Sequence, residues 1–159
     1  LIKREDNIRI VFVGAGADRS RLEKIVNERG LENIVMIPKQ PKDKMLRVWS
    51  LCDISLVHLI DAPLFKTVIP SKIFECLAME TPILLGVDGE AKGLFIDKGK
   101  SGLYFEPENA EDLKTGVLKL AENNALRKEL GENGRIYVNN HFNRNQIAKE
   151  LKSCLQDLF

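Results

Sequence analysis

The chain has 159 residues, long enough for a domain with its own apolar core, and its 44% hydrophobic and 30% charged residues are ordinary for a folded protein in water. Lys and Arg number 24 against 23 Asp and Glu, a net charge of +1 that argues against a general nucleic-acid-binding surface and leaves only a local anion site open. No apolar run approaches the roughly 18 residues of a membrane span, and the opening LIKRED does not read as a signal peptide.

The predicted elements alternate from the start. A strand is expected over residues 8–13 (IRIVFV), followed by Gly14-Ala15-Gly16. A helix over 18–29 carries Leu22, Ile25 and Val26 on one stripe, with Ser20 and Glu23 as a capping box and Gly30 as its stop. The run IVMI at 34–37 is a second strand. Pro38-Lys39-Gln40-Pro41 leads from it into an amphipathic helix over 43–51. Strands at 53–58 (DISLVH), 82–85 (PILL) and 102–105 (GLYF) enclose a helix at 71–80 and a weaker one at 89–98. Three helical stretches, 110–123, 126–139 and 144–158, close the chain.

Near-continuous apolarity in the strands suits a parallel sheet buried on both faces. Strand–helix alternation implies right-handed crossovers with helices on either side. The expected fold is therefore α/β, a Rossmann-like three-layer arrangement on a parallel sheet with a helical C-terminal tail. No composition break marks a second domain, so residues 1–159 are read as one. In such folds ligands bind outside the carboxyl ends of the strands, which directs attention to the segments after Val13, Ile37, His58 and Leu85. The longest irregular stretch, 59–70, falls on that side.

Three cysteines, Cys52, Cys76 and Cys154, are widely spaced and form no C-x-x-C pair. Cys52 and Cys76 read as small buried hydrophobes, and a reducing setting fits them best. Gly14-Ala15-Gly16 lets a backbone approach a ligand, but Arg19 stands where a G-x-G-x-x-G fingerprint has its third glycine. A plain tight turn and a ligand-facing turn both remain open there. Asp88 and Glu90 are too few to make a metal site, and none is expected. His58 ends a strand on the ligand side, where a packed or loop-facing imidazole is favoured over a general base.

The most informative stretch is Pro70-Ser71-Lys72-Ile73-Phe74-Glu75. Pro70 and Ser71 are good helix openers, and a helix start presents unpaired N–H donors and partial positive charge to a diphosphate. Ile73, Phe74, Leu77 and Ala78 claim the core stripe, which leaves Lys72 and Glu75 on the other side. The plain alternative for those two is an i, i+3 ion pair on a solvated helix.

The run PSKIFECLAMETPILLGVDGE over 70–90 resembles the donor-site block of the retaining GT-B glycosyltransferases of family 4, "PSK-hydrophobic-x-E-x-hydrophobic-A-x-G-x-PVI". Val13-Gly14-Ala15-Gly16 with Leu22-Glu23 resembles the family's "GxGP…LE" segment. Pro38–Pro41, Asp53–Val57 and Phe142-Asn143-Arg144 resemble its later elements in the right order. The similarity is nearest to polysaccharide and O-antigen biosynthesis enzymes.

The resemblance implies a C-terminal half that binds a nucleoside diphosphate sugar, UDP-linked by expectation, for transfer with retention. Glu75 matches the second acid of an E-x7-E motif, which holds the ribose diol. The first acid falls at Thr67, a departure that puts the usual sugar contact in doubt. Val68, Ile69 and Ser71 would offer amides to the diphosphate, supplemented by Lys66 or Lys72. Gly14 and Gly16 would line the other wall, and Pro38, Lys39 and Gln40 would read the base edge. The resemblance further implies that the family's first strand, its Arg-x4-Lys pair and the acceptor-binding half lie outside these residues, so weak or no donor affinity and no turnover are expected of the chain alone. The catalytic residues are unassigned, and the donor is a substrate, with no cofactor expected. The whole enzyme is expected in the cytoplasm, with association at the inner membrane face left open. Two other readings stay open: a non-catalytic nucleotide-sugar-binding module, and a half resembling a UDP-sugar epimerase.

Overall fold

A computed structural model describes residue 2 and residues 7–156. The chain forms two compact units, Leu1–Val48 and Trp49–Phe159.

In the first unit β1 (Ile10–Val13) and β2 (Ile34–Ile37) pair in parallel, from Ile10 opposite Ile34 to Val13 opposite Ile37. The helix α1 (Arg19–Glu28) crosses between them and stops before Gly30, whose φ of +58° suits a residue without a side chain. The expected capping box does not form. Asp18 is the N-cap, makes no side-chain cap hydrogen bond, and pairs with Arg21. The expectation of strands covered on both faces also fails for β1, where Val11 is 43% and Phe12 36% exposed. Two strands and one helix cannot cover both faces of a sheet.

The segment 42–49 is a 3-10 turn, Lys42–Lys44, running into the short helix α2 (Met45–Trp49). It ends before the expected limit because the Cys52 N–H turns back onto the Trp49 carbonyl at 3.0 Å, leaving Leu51 85% exposed.

The second unit is built on three parallel strands in the order β3 (Ser55–His58), β4 (Ile83–Gly86), β5 (Gly102–Tyr104). Its central strand is buried along its whole length, and period-two alternation sends its side chains into two cores. Ile83 and Leu85 join Val57, Ile73, Cys76, Leu77 and Phe95 on one face. Leu84 joins Phe105, Leu120 and Leu130 on the other. The helix α3 (Lys72–Ala78) supplies Ile73 and Leu77 to the first core as its spacing predicts, with Phe74 packed against it; Cys76 is buried there as well, whereas Ala78, expected on the same stripe, is exposed. Burial pushes the Cys76 thiol up to about 11, so it stays a neutral apolar group.

The weak helix expected at 89–98 is a short α segment, α4 (Glu90–Lys92), opening into a π turn over Gly93–Lys98 that places Phe95 in the core. The tail consists of α5 (Ala110–Glu122), α6 (Asn124–His141) and α7 (Arg144–Gln156). The last two residues of the expected 144–158 helix lie outside the described residues. Asn109 and Asn123 cap α5 and α6 by accepting the amides of Asp112 and Leu126.

The end of α3 departs from the motif in a way that matters for packing. Glu80 occupies the place of its glycine and still takes the left-handed conformation, φ +58°, with its carboxylate on Arg135 at 3.0 Å. Against this turn lies Gly131 of α6, where an added Cβ would sit 2.1 Å from the Glu80 carbonyl oxygen. Gly131→Ala would gain about 1 kcal/mol of helix propensity and lose about 1–3 kcal/mol to overpacking. The obstacle is backbone, which cannot swing aside, so we expect a net destabilisation of about 1 kcal/mol by urea denaturation. A more stable variant would show that α6 can shift without cost.

Candidate functional site

The site is built at the carboxyl ends of β3 and β4. These end together, His58 opposite Gly86, and the chain leaves them through 59–70 and through Val87-Asp88-Gly89. Because α3 returns antiparallel to the strands, its first turn comes back to this same edge. Electrostatics agree: desolvation, and after it the Lys72 charge, hold the His58 imidazole below its ordinary value. Lys72 at the helix start is therefore a neighbour of the β3 terminus.

The expected irregular stretch contains a 3-10 turn, Pro63–Thr67. It is seated on the turn after β4. Gly89 has φ +82°, and a Cβ there would come within 2.2 Å of the Lys66 carbonyl oxygen. The Lys66 ammonium reaches Asp88 at 3.2 Å, and Lys92 approaches the same carboxylate at 3.9 Å. The Gly89 N–H, followed by Lys66, lowers the Asp88 pKa from its ordinary value. Lys92 also stands 4.0 Å above the Tyr104 ring. Asp88 is thus occupied in holding two cations, and among the described residues no group of three or more metal-ligating side chains converges.

Each residue singled out in the sequence has a definite place. Ser71 caps α3 without a side-chain cap bond, and the first amides of the helix to find carbonyl acceptors are those of Ile73, on Pro70, and Phe74, on Ser71. The Val68 amide donates to the Phe65 carbonyl at 3.2 Å, so it is engaged rather than free for a ligand. Thr67 is exposed, with its hydroxyl donating to the Leu64 carbonyl at 3.3 Å. Glu75 lies in the first turn of α3, half-buried, and accepts the indole N–H of Trp49 at 3.4 Å. No ion pair joins Lys72 to Glu75 among the described residues, so the plain i, i+3 reading does not describe this pair.

In the first unit, Gly14 and Gly16 follow β1, and exposed Pro38 and Lys39 follow β2. A Cβ added at Gly14 or Gly16 would meet nothing within 4 Å, so internal packing does not demand glycine at either. Arg19 extends back from α1 to the Gly14 and Ile37 carbonyl oxygens, at 2.6 and 2.8 Å.

Sequence reasoning missed Trp49, read only as part of an apolar stripe. A Trp N–H beside an apolar face does need an acceptor, but nothing local says which. It also missed Arg19, noticed only as a failed glycine.

A parallel α/β layer with helices, entered from the carboxyl ends of its strands, is the Rossmann-like architecture of the GT-B glycosyltransferases. The chain belongs to the family Glycosyl transferases group 1, whose model matches residues 1–137. It is 27% identical over 97% of its length to an uncharacterized glycosyltransferase of Methanocaldococcus jannaschii, of which it covers 38%. Among solved structures, it superposes on sucrose-phosphate synthase from Thermosynechococcus elongatus with a TM-score of 0.80 and 23% identity, covering 95% of this chain and 38% of that one. On HepE of Anabaena in complex with UDP-glucose the TM-score is 0.71 with 16% identity, over 94% of this chain and 43% of that one. The chain thus spans about two-fifths of the length of these proteins. Among the described residues no helix is long and apolar enough to cross a membrane.

Proposed function

We propose that the chain is the donor-binding part of a retaining glycosyltransferase of family 4, and that its ligand is a UDP-linked sugar used in polysaccharide or O-antigen type synthesis in the cytoplasm. The observation that carries the reading is the opening of α3. Glu75 sits in the first turn with its carboxylate held by Trp49, and Ser71 and Lys72 are exposed beside it. A carboxylate steadied by one donor keeps acceptor capacity for a ribose diol, while a helix start and a Lys suit a diphosphate. Lys66 supplements that charge, and Thr67 and Val68 border it. In the first unit, the same reading gives Gly14, Gly16, Pro38 and Lys39 to the nucleoside. Support also comes from HepE, whose structure holds UDP-glucose on this fold.

Leaving-group stabilisation is the largest electrostatic requirement of the transfer. The cation pair that meets it, and the acceptor site, belong in this reading to parts of the whole enzyme outside these residues, so the chain alone binds the donor weakly at most and does not turn it over. A second reading, a binding module without chemistry, is favoured by one observation: Thr67 stands in the first acid's place and spends its hydroxyl on Leu64. Consumption of a UDP-sugar by the whole protein would exclude it.

The single tryptophan reports on the site directly. Titration with UDP should change Trp49 fluorescence, and Glu75→Ala should weaken UDP binding about tenfold, the loss of a charged hydrogen bond. Glu75→Gln keeps an acceptor for Trp49 and should fall between. Equal UDP affinity in all three would remove Glu75 from the ribose role.

A further inference from the structure

In the first unit the turn after β1 and the turn after β2 are tied by one side chain. The Arg19 guanidinium donates from a single nitrogen to the Gly14 carbonyl at 2.6 Å and the Ile37 carbonyl at 2.8 Å. Its Nε pairs with Glu23 at 2.7 Å, one turn along α1, and the Arg19 side chain is only 23% exposed. The backbone supports the same junction, since the Gly14 N–H donates to the Ile37 carbonyl at 3.2 Å. The last residues of the two strands, Val13 and Ile37, stand opposite one another. Beyond them the parallel ladder ends, and Arg19 continues the cross-link where strand pairing has stopped.

The residue type fits this task. A guanidinium is a planar fork whose N–H groups have fixed directions, so one group can satisfy two carbonyls and a carboxylate at once. A Lys ammonium is a point charge on a flexible stem and holds no such geometry. Glu23 fixes the plane of the fork from behind. Both bridged carbonyls open onto residues that the proposed function gives to the nucleoside: Gly14 and Gly16 on one side, Pro38 and Lys39 on the other. Gln40 adds local order, its side-chain amide donating to the Pro38 carbonyl at 2.9 Å.

We propose that Arg19 is a positioning residue that sets the spacing of the Gly14–Gly16 turn and the Pro38–Gln40 turn, and thereby the recognition of the nucleoside part of the donor. The inference rests on the reading that these turns meet the nucleoside. Arg19 itself touches no ligand in this scheme. Preorganised loops bind more tightly because their ordering is already done, and loss of the clamp therefore acts on the nucleoside and leaves the diphosphate contacts of α3 unchanged.

The test compares wild type, Arg19→Met, Arg19→Lys and Glu23→Gln for binding of UDP and of inorganic pyrophosphate, together with amide hydrogen exchange. Arg19→Met keeps the apolar stem and removes the fork. It should weaken UDP about tenfold and change pyrophosphate affinity less than about twofold. Amides of residues 14–17 and 39–40 should exchange faster, with the β1–β2 ladder unchanged. Arg19→Lys should recover part of the loss, and Glu23→Gln should show a smaller effect of the same direction. Unchanged UDP affinity in Arg19→Met, or exchange accelerated evenly through the whole unit, would overturn the assignment and leave Arg19 an ordinary structural residue. Wild type that binds no UDP would instead refute the proposed function. The exchange comparison would still decide whether Arg19 holds the two turns.

Discussion

Phe95→Ala is expected to destabilise the second unit by about 3–5 kcal/mol, the cost of emptying a buried aromatic site. Phe95 is fully buried. It meets Phe74 edge-on at 5.6 Å and 82°, Tyr137 at 6.2 Å and 83°, and Phe142 at 5.7 Å. Three elements, α3, α6 and the residue after it, therefore converge on one ring delivered by the π turn. Edge-to-face pairs each add about 0.5–1.5 kcal/mol beyond burial, which places the loss toward the upper end. The site has little room to collapse, because Ile73, Leu77 and Ala91 around it are themselves fully buried. Thermal melting should fall by roughly 10–15 °C. Phe95→Leu, which refills most of the volume, should recover at least half of that. A drop of under about 3 °C in Phe95→Ala would mean that the ring is not the centre of this core.

The second large effect is at Gly89, and there a conformational cost adds to a steric one. With φ +82° and ψ −133° the residue sits where L side chains are strained by about 1–3 kcal/mol. An alanine Cβ would also stand 2.2 Å from the Lys66 carbonyl oxygen, adding about 1–3 kcal/mol if nothing moves. The backbone of the 3-10 turn is the part that must yield. The Lys66–Asp88 pair does not hold it in place, because both groups are exposed and solvent screens their attraction. Gly89→Ala should therefore cost about 2–5 kcal/mol by denaturation, accelerate amide exchange across 63–68, and weaken UDP binding through displacement of Lys66 and Thr67. Unchanged exchange in 63–68 with an unchanged melting point would show that Gly89 carries neither strain nor contact.

The two variants probe different links. Phe95 belongs to packing and reaches the first turn of α3 through the ring of Phe74. Gly89 connects packing to the site, since the turn it supports holds the residues next to Ser71.

Much of this is legible in the sequence. The five apolar runs are the five strands: β2 has the expected bounds, β4 is shifted by one residue, and β1, β3 and β5 are shorter by one or two; the seven helical stretches are helices or helical turns. Ile73 and Leu77 are buried as the helical spacing requires, and Ile83, Leu84 and Leu85 follow the rule for a doubly covered strand. The failures have physical causes. A continuous apolar run at Ile10–Val13 cannot announce that half of it stays exposed, because cover is supplied by other elements. The capping box at Ser20 and Glu23 was a valid local pattern that lost to a start at Asp18, one residue earlier than α1. The π turn at Gly93–Lys98 has no periodic signature of its own and exists because it delivers Phe95 to a core made elsewhere.

Local chemistry was the sequence's own contribution. Strand and helix alternation, a helix opened by Pro70 and Ser71, and an acid one turn inside it follow from spacing and capping within a dozen residues, where chain connectivity alone sets geometry. Which polar groups would meet was decided only by tertiary structure. Trp49 reaches Glu75 across 26 positions, Lys66 reaches Asp88 across 22, and Arg19 reaches Ile37 across 18. Such partners share no local pattern. They are neighbours because parallel strands return the chain to the same edge each time, and that return is a property of the sheet rather than of any segment in it.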